Sequence, residues 1–183
     1  MKLYITRHGQ TDWNLAKIIQ GKSDISLNDT GKKQAQITRD ALASVPIDAI
    51  IVSPLKRAKQ TAAIINEPHQ AMIYEDARIE ERGFGRFEGK GLDLVDFTRF
   101  WSIAEETQFP DCEKTSVFYE RVYDFINECK QKAADLTLLI VAHGGVSLPF
   151  YTYFNGMPPV GDMRKYMLDN CEVATYEWVA EKC

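Results

Sequence analysis

The chain has 183 residues, 45% of them hydrophobic and 26% charged, with a formal net charge of −4 and a mean hydropathy of −0.30. That is enough chain to bury well over half of its unfolded surface. The negative balance excludes the broad cationic face that nucleic acids and anionic membrane surfaces select. No run approaches the roughly 18 apolar residues of a membrane span, and the start, Met1-Lys2-Leu3-Tyr4-Ile5-Thr6-Arg7, is interrupted too early for a signal peptide. Cys112, Cys129, Cys171 and Cys183 show neither C-x-x-C pairing nor zinc-type spacing with histidine. They read as reduced, packed thiols, so a soluble cytoplasmic protein is expected.

In chain order, Leu3-Tyr4-Ile5 is a short apolar run ending at Arg7-His8-Gly9, and buried strands of an α/β sheet read as such runs. Asn28 or Asp29 can cap a helix that continues through Lys32, Ala35 and Ile37 to about Ala43, with Pro46 beyond its end. Asp48 to Val52 reads as the next strand. Ser53-Pro54 places a capping hydroxyl before a proline suited to a first helical turn, and this helix carries Arg57, Gln60, Thr61, Ile64 and Ile65. Gln70 to Tyr74 follows as a strand, with His69 an ordinary loop residue before it.

From Glu81 to Lys114 the periodicity loosens. Gly83, Gly85, Gly89 and Gly91 are followed by Phe97, Phe100, Trp101 and Phe109, so residues 82–114 are expected to form a small cap segment on a single domain spanning 1–183. A helix from about Ser116 to Ala134 carries Val117, Phe118 or Tyr119, Val122, Phe125, Ile126 and Cys129 at helical spacing, which is a core face. Thr137 to Ala142 is an apolar strand ending at His143-Gly144. A helix starts near Gly145, Pro158-Pro159 breaks the chain, and Ala174 to Val179 is a closing strand. This alternation predicts an α/β fold, a three-layer sandwich with a mostly parallel central sheet flanked by helices.

Two strands that end in histidine can aim two imidazoles at one pocket, because ligands of such sheets bind outside the carboxyl ends of the strands. Arg7 closes the first of them. Arg57 lies in the first turns of the helix entered at Ser53-Pro54, where backbone N–H groups favour an anion. Guanidinium groups supply forked, permanently charged donors that match phosphate oxygens. Taken singly, each histidine reads as a loop residue and Arg57 as an exposed helix arginine. Their convergence points to phosphoryl transfer.

Six motifs in order strengthen that reading: Arg7-His8-Gly9-Gln10-Thr11 with Asn14; Leu27 and Thr30-Gly31 with Gln34-Ala35; Ser53-Pro54-Leu55-Lys56-Arg57-Ala58-Lys59-Gln60-Thr61-Ala62; Glu81-Arg82-Gly83-Phe84-Gly85 with Glu88-Gly89; Val141-Ala142-His143-Gly144; and Asn170-Cys171. In register they resemble the histidine phosphatase superfamily, also called the phosphoglycerate mutase-like family. The resemblance implies a phosphoglycerate mutase-like fold and makes His8 the nucleophile that carries the phosphoryl group as a phosphohistidine. Arg7 and Arg57 would keep His8 uncharged by like-charge repulsion. By the same resemblance Arg7, Arg57, His143 and Asn14 hold the phosphoryl oxygens, joined by the Gly144 N–H. Glu81, in preference to adjacent Glu80, protonates the leaving alkoxide and later draws a proton from the attacking water. Thr11, Gln20, Gly21 and Arg82 are further candidate substrate contacts.

The substrate implied is a small phosphate ester, with no cofactor, and the oligomeric state is not legible. Similar phosphoglycerate mutases carry a longer insertion after the acid motif and a longer tail, whereas 61 residues separate Glu81 from His143 here. Compactness favours a phosphatase, with a phosphoglycerate mutase as the alternative because Arg82 keeps one mutase-like cation. A non-catalytic phosphate-binding module would need neither nucleophile nor acid, and both are present. Two histidines and a carboxylate can also bind zinc, but the arginines oppose a cation, and no metal is expected. No P-loop motif occurs. Ser26 and Phe87 depart from common family residues, and Gly83 removes a side chain near the cap.

Overall fold

The computed structural model describes residues 2–158 and 162–178. Five strands form the sheet: β1 (Lys2–Arg7), β2 (Ala49–Val52), β3 (Met72–Glu75), β4 (Thr137–Ala142) and β5 (Val173–Glu177). Their spatial order is β3-β2-β4-β1-β5, and only β5 runs antiparallel to its neighbour. The helices are α1 (Asp12–Leu15), α2 (Asp29–Leu42), α3 (Lys56–Ile65), α4 (Phe97–Phe100), α5 (Thr115–Lys132) and α6 (Gly144–Asn155).

The pleat of β4 explains the layers. Its side chains alternate between the two faces, as strand geometry requires. Leu138, Ile140 and Ala142 join Leu3 and Ile5 of β1 against α5, α6 and the aromatic segment. Leu139 and Val141 join Ile50 and Val52 of β2 against Ala58, Ala62 and Ile65 of α3 and Leu42 of α2. An uninterrupted Leu-Leu-Ile-Val-Ala is therefore what a strand covered on both faces needs. Each of its Leu, Ile and Val side chains contributes about 1.5–3 kcal/mol on full burial. The expected three layers are present.

Several elements differ in detail from the sequence expectation. β3 starts two residues late and ends one late, and as an edge strand it is exposed along its whole length. Val117 is 47% exposed, since α5 turns Phe118, Val122, Phe125, Ile126 and Cys129 inward and residue 117 sits a third of a turn away. Ser53 does not cap α3. Leu55 holds the cap position without a side-chain bond, while Asp24 Oδ1 accepts the Lys56 N–H at 2.7 Å. Asn28 does cap α2, its side chain accepting the Gly31 N–H at 2.8 Å. Helix α1, unanticipated, is one turn fixed by reciprocal bonds between Thr11 and Asn14. The closing strand ends at Glu177; Val179, Pro159 and Cys183 lie outside the described residues.

Candidate active site

Strand register brings the site together. Arg7 pairs with Ala142 and Val52 with Val141. The ladder continues one residue further, His8 N–H donating to the Ala142 carbonyl at 2.9 Å and Ser53 N–H to the Val141 carbonyl at 3.1 Å. The residues just beyond β1, β4 and β2, namely His8, His143 and Ser53, therefore meet at one end of the sheet. The two imidazole centroids are 5.2 Å apart, their planes inclined by 61°.

His8 Nδ1 lies 2.7 Å from the Gly9 carbonyl oxygen. A carbonyl only accepts, so Nδ1 carries the proton and Nε2 the lone pair. Arg57 Nε donates to that Nε2 at 3.1 Å. Burial pushes the His8 pKa well below 6.5, and Arg57 and Arg7 push it further. The neutral imidazole expected from the two arginines thus has desolvation as its larger cause. His143 is shifted the same way, again by burial first, then by Arg57, His8 and Arg7. Its Nε2 is 2.7 Å from Ser53 Oγ, and its Nδ1 is buried with no partner among the described residues.

Arg57 is 1% exposed and donates from Nη1 to Ser23 O and from Nη2 to Gly21 O, both at 2.7 Å. Burial lowers its pKa to about 10, which leaves it charged at neutral pH. Arg7 donates from Nη1 to the Leu168 carbonyl at 3.0 Å, and its buried Nε has no partner among the described residues. The Glu81 carboxylate accepts the Arg82 N–H at 2.9 Å and the Gly145 N–H, in the first turn of α6, at 3.0 Å. A Cβ at position 145 would stand 2.1 Å from Glu81 Oε1, so glycine is what admits the carboxylate there. Neighbouring Glu80 turns instead to Lys22, at 3.3 Å.

A cavity of about 290 Å³ opens between these groups, lined by Arg7, His8, Arg57, Glu81 and Gly144 together with Asn14, Gln20 and Gly21, and walled by Trp13, Ile18, Phe97 and Trp101. Asn14 Oδ1 accepts the Thr11 N–H at 3.1 Å, which leaves its Nδ2 as a donor. Three expected contacts are not in the lining, and one of them, His143, is 1% exposed beside the His8 ring. Thr11 is fully buried and spends its hydroxyl on Asn14 and Gln20. Arg82 is fully buried in the aromatic segment: it donates to Glu113 O at 2.7 Å and Phe100 O at 2.5 Å, with Cζ 3.7 Å from the Phe100 ring centroid.

Three supporting residues carry no signal of that role in the sequence. Ser53 read as a cap, Thr61 as a helix face, and Asn170 as part of a motif without a role. Thr61 Oγ1 accepts the Gly9 N–H at 3.0 Å and donates to the Arg57 carbonyl at 2.7 Å, which ties the His8 loop to α3. Asn170 Nδ2 donates to the His8 carbonyl at 2.8 Å.

Fold and site together define an α/β protein in which a buried neutral imidazole faces two guanidinium groups and a carboxylate. The chain belongs to the histidine phosphatase superfamily (branch 1), whose family model matches residues 3–183. It is similar to the Bacillus subtilis (strain 168) protein named uncharacterized phosphatase PhoE, at 34% identity over 97% of this chain and 89% of the relative. It is also similar to the probable phosphoglycerate mutase GpmB of Klebsiella pneumoniae (strain 342), at 29% identity over 97% of this chain and 85% of the relative. The solved structure of Bacillus stearothermophilus YhfR superposes with a TM-score of 0.85 at 27% identity, covering 98% of this chain and 92% of that one.

Proposed function

We propose that this protein hydrolyses small-molecule phosphomonoesters through a phosphohistidine at His8. The observation that carries the reading is the His8 tautomer: Nδ1 is committed to Gly9, and unprotonated Nε2 accepts the Arg57 Nε–H at 3.1 Å until a phosphoryl oxygen takes that donor, with burial holding the ring neutral. Nε2 attacks phosphorus and the ester P–O bond breaks. Arg7 and Arg57 match the two charges of the dianion, and the charge spread over the transferring group meets donors already in place. His143 Nδ1, the Asn14 amide and the Gly144 N–H complete the grip. A Ser53 hydroxyl that donates to His143 Nε2 keeps the His143 proton on Nδ1, where a phosphoryl oxygen can accept it.

Glu81 gives its proton to the departing alkoxide. It then takes one from the water that attacks the phosphohistidine, which releases phosphate and restores neutral His8. Hydrolysis is favoured over mutation because Arg82, the cation that kept a mutase reading alive, points into the aromatic segment and not at the cavity. We read the chain as one domain with residues 82–114 as its cap. No described helix is long and apolar enough to cross a membrane, and we place the protein in the cytoplasm because Cys112, Cys129 and Cys171 are buried free thiols.

Rapid-quench labelling with a phosphomonoester carrying ³²P tests this. An acid-labile adduct is expected in the wild type and absent in His8→Ala, whose kcat/KM should fall at least about 1,000-fold. Turnover that survives His8→Ala would refute the nucleophile. Interconversion of phosphoglycerates outrunning phosphate release would assign the site to a mutase.

A further inference from the structure

The Glu81 carboxylate is held by α6, whereas the peptide that carries it is held by α5. Residues 80–84 have no regular secondary structure, so their backbone polar groups need partners from elsewhere. Arg121 of α5 provides them. Its Nη1 donates to the Arg78 carbonyl at 2.5 Å and the Glu80 carbonyl at 2.9 Å, and its Nη2 to the Glu81 carbonyl at 3.2 Å. Its remaining donors fork onto Glu113, Nε to Oε1 at 2.7 Å and Nη2 to Oε2 at 3.0 Å. All five guanidinium N–H groups are thereby used, a pattern that three ammonium donors cannot reproduce.

Glu113 closes the other side of the loop. Its Oε2 accepts the Gly83 N–H at 3.0 Å, and its own N–H donates to the Gly83 carbonyl at 2.9 Å. Residues 78 to 83 are clamped on both sides of Glu81. The pair that clamps them is 17% and 14% exposed, which shields it from most solvent screening. Neither side chain lines the cavity.

We propose that Arg121, braced by Glu113, is a positioning residue for proton delivery: it fixes the Glu81 peptide so that the carboxylate stands where the leaving oxygen departs. The inference rests on reading Glu81 as the acid. In the step concerned a bond forms between His8 Nε2 and phosphorus, the ester P–O bond breaks, and the Glu81 proton passes to the departing oxygen. A displacement of about 1 Å in a catalytic group costs on the order of 100-fold in rate. That loss falls only on esters whose leaving group needs the proton.

Two substrates separate this from general structural damage. 4-Nitrophenyl phosphate releases a stabilised phenolate that leaves without a proton, and 2-phenylethyl phosphate, an ester of similar size, releases an alkoxide that requires one. Values of kcat/KM isolate the step up to leaving-group departure. Arg121→Met should lower kcat/KM for the alkyl ester about 100-fold, and for the nitrophenyl ester by less than about threefold; Arg121→Lys should fall between Arg121→Met and wild type. Glu81→Gln sets the reference, with the same selectivity. A uniform loss in Glu81→Gln, or none, would sink the acid reading itself. A selective Glu81→Gln beside a uniform or silent Arg121→Met would sink the positioning role alone. Should Arg121→Met fail to fold, Glu113→Gln decides: a selective loss supports the proposal and a uniform or absent loss overturns it.

Discussion

At His8 and His143 the same burial that prepares the chemistry imposes a cost on stability, and the sign is fixed. Both imidazoles resist protonation in the folded state, burial being the first cause. Above pH 6.5 both folded and unfolded chains hold them neutral, and no penalty applies. As the pH falls below 6.5, the unfolded chain binds protons that the folded chain refuses, so stability drops until the folded pKa values are reached. Each histidine then removes about 1.4 kcal/mol per pH unit. His69, also lowered by burial but more exposed, adds a smaller part. Carboxylates with lowered pKa, such as Glu113, titrate below 4.5 and leave that window clear. Urea midpoints should therefore hold nearly level from about pH 7.5 to 6.5 and decline from there to about pH 5, and the decline should flatten in a His8→Gln, His143→Gln double variant; an unchanged slope would mean these rings are not buried neutral. Ser53 belongs to the same scale. Ser53→Ala leaves His143 Nε2 without its 2.7 Å partner, at a stability cost of about 1–3 kcal/mol. With the ring no longer held, kcat/KM should also fall about tenfold, which a phosphate-release assay reads beside the urea midpoint.

Among the elements, the first turn of α6 has the most specific design. Gly144 lets the helix start against Arg7, a Cβ there falling 3.2 Å from Cζ, and Gly145 aims its N–H at Glu81. The helix dipole favours the negative carboxylate that remains once the proton has gone to the leaving oxygen. Gly145→Ala would set a Cβ 2.1 Å from Glu81 Oε1 and 2.9 Å from Trp101 Cη2. The carboxylate is the mobile neighbour, so it should move first: folding is expected to survive while kcat/KM for alkyl esters drops about 100-fold. Equal activity on those esters would show that the carboxylate position tolerates the shift. The elements also differ in how far they were legible in the sequence. β4 and α5 announced themselves because one is apolar throughout and the other repeats its apolar residues every third or fourth position. Helix α1 could not, since four residues carry no periodicity and only the Thr11–Asn14 bonds define it. Edge strand β3 was displaced for a related reason: its exposed residues lack the burial signal that fixes strand register.

For the whole molecule, the motifs contain Arg7, His8, Asn14, Arg57, Glu81 and Gly144, which line the cavity, but they do not say which atoms each turns to it. Arg82 and Thr11 lie in the same motifs as Glu81 and His8, yet packing against Phe100 claims one guanidinium and a one-turn helix claims one hydroxyl. Such outcomes depend on contacts far apart in sequence. The converse also holds, since Ser53 became part of the site only through the register of β2 against β4. Arg7 Nε and His143 Nδ1 are buried polar atoms without protein partners among the described residues, and Arg7 lines the cavity. Buried polar atoms left this way reduce stability until a ligand pairs them. An anion that fills the pocket should therefore stabilise the folded chain by mass action, by about 2.7 kcal/mol at 100 times its Kd. For a protein of this length that corresponds to a rise in Tm of roughly 5–10 °C. Orthovanadate, a phosphate mimic, is the probe, and differential scanning calorimetry the measurement. The rise should vanish in Arg57→Ala, because the guanidinium that donates to His8 at the cavity is gone, and it should persist in Lys2→Ala, whose ammonium pairs with Glu177 at the far end of β1. Equal shifts in all three proteins would mean that vanadate binds outside the pocket and that the unpaired atoms are not its site.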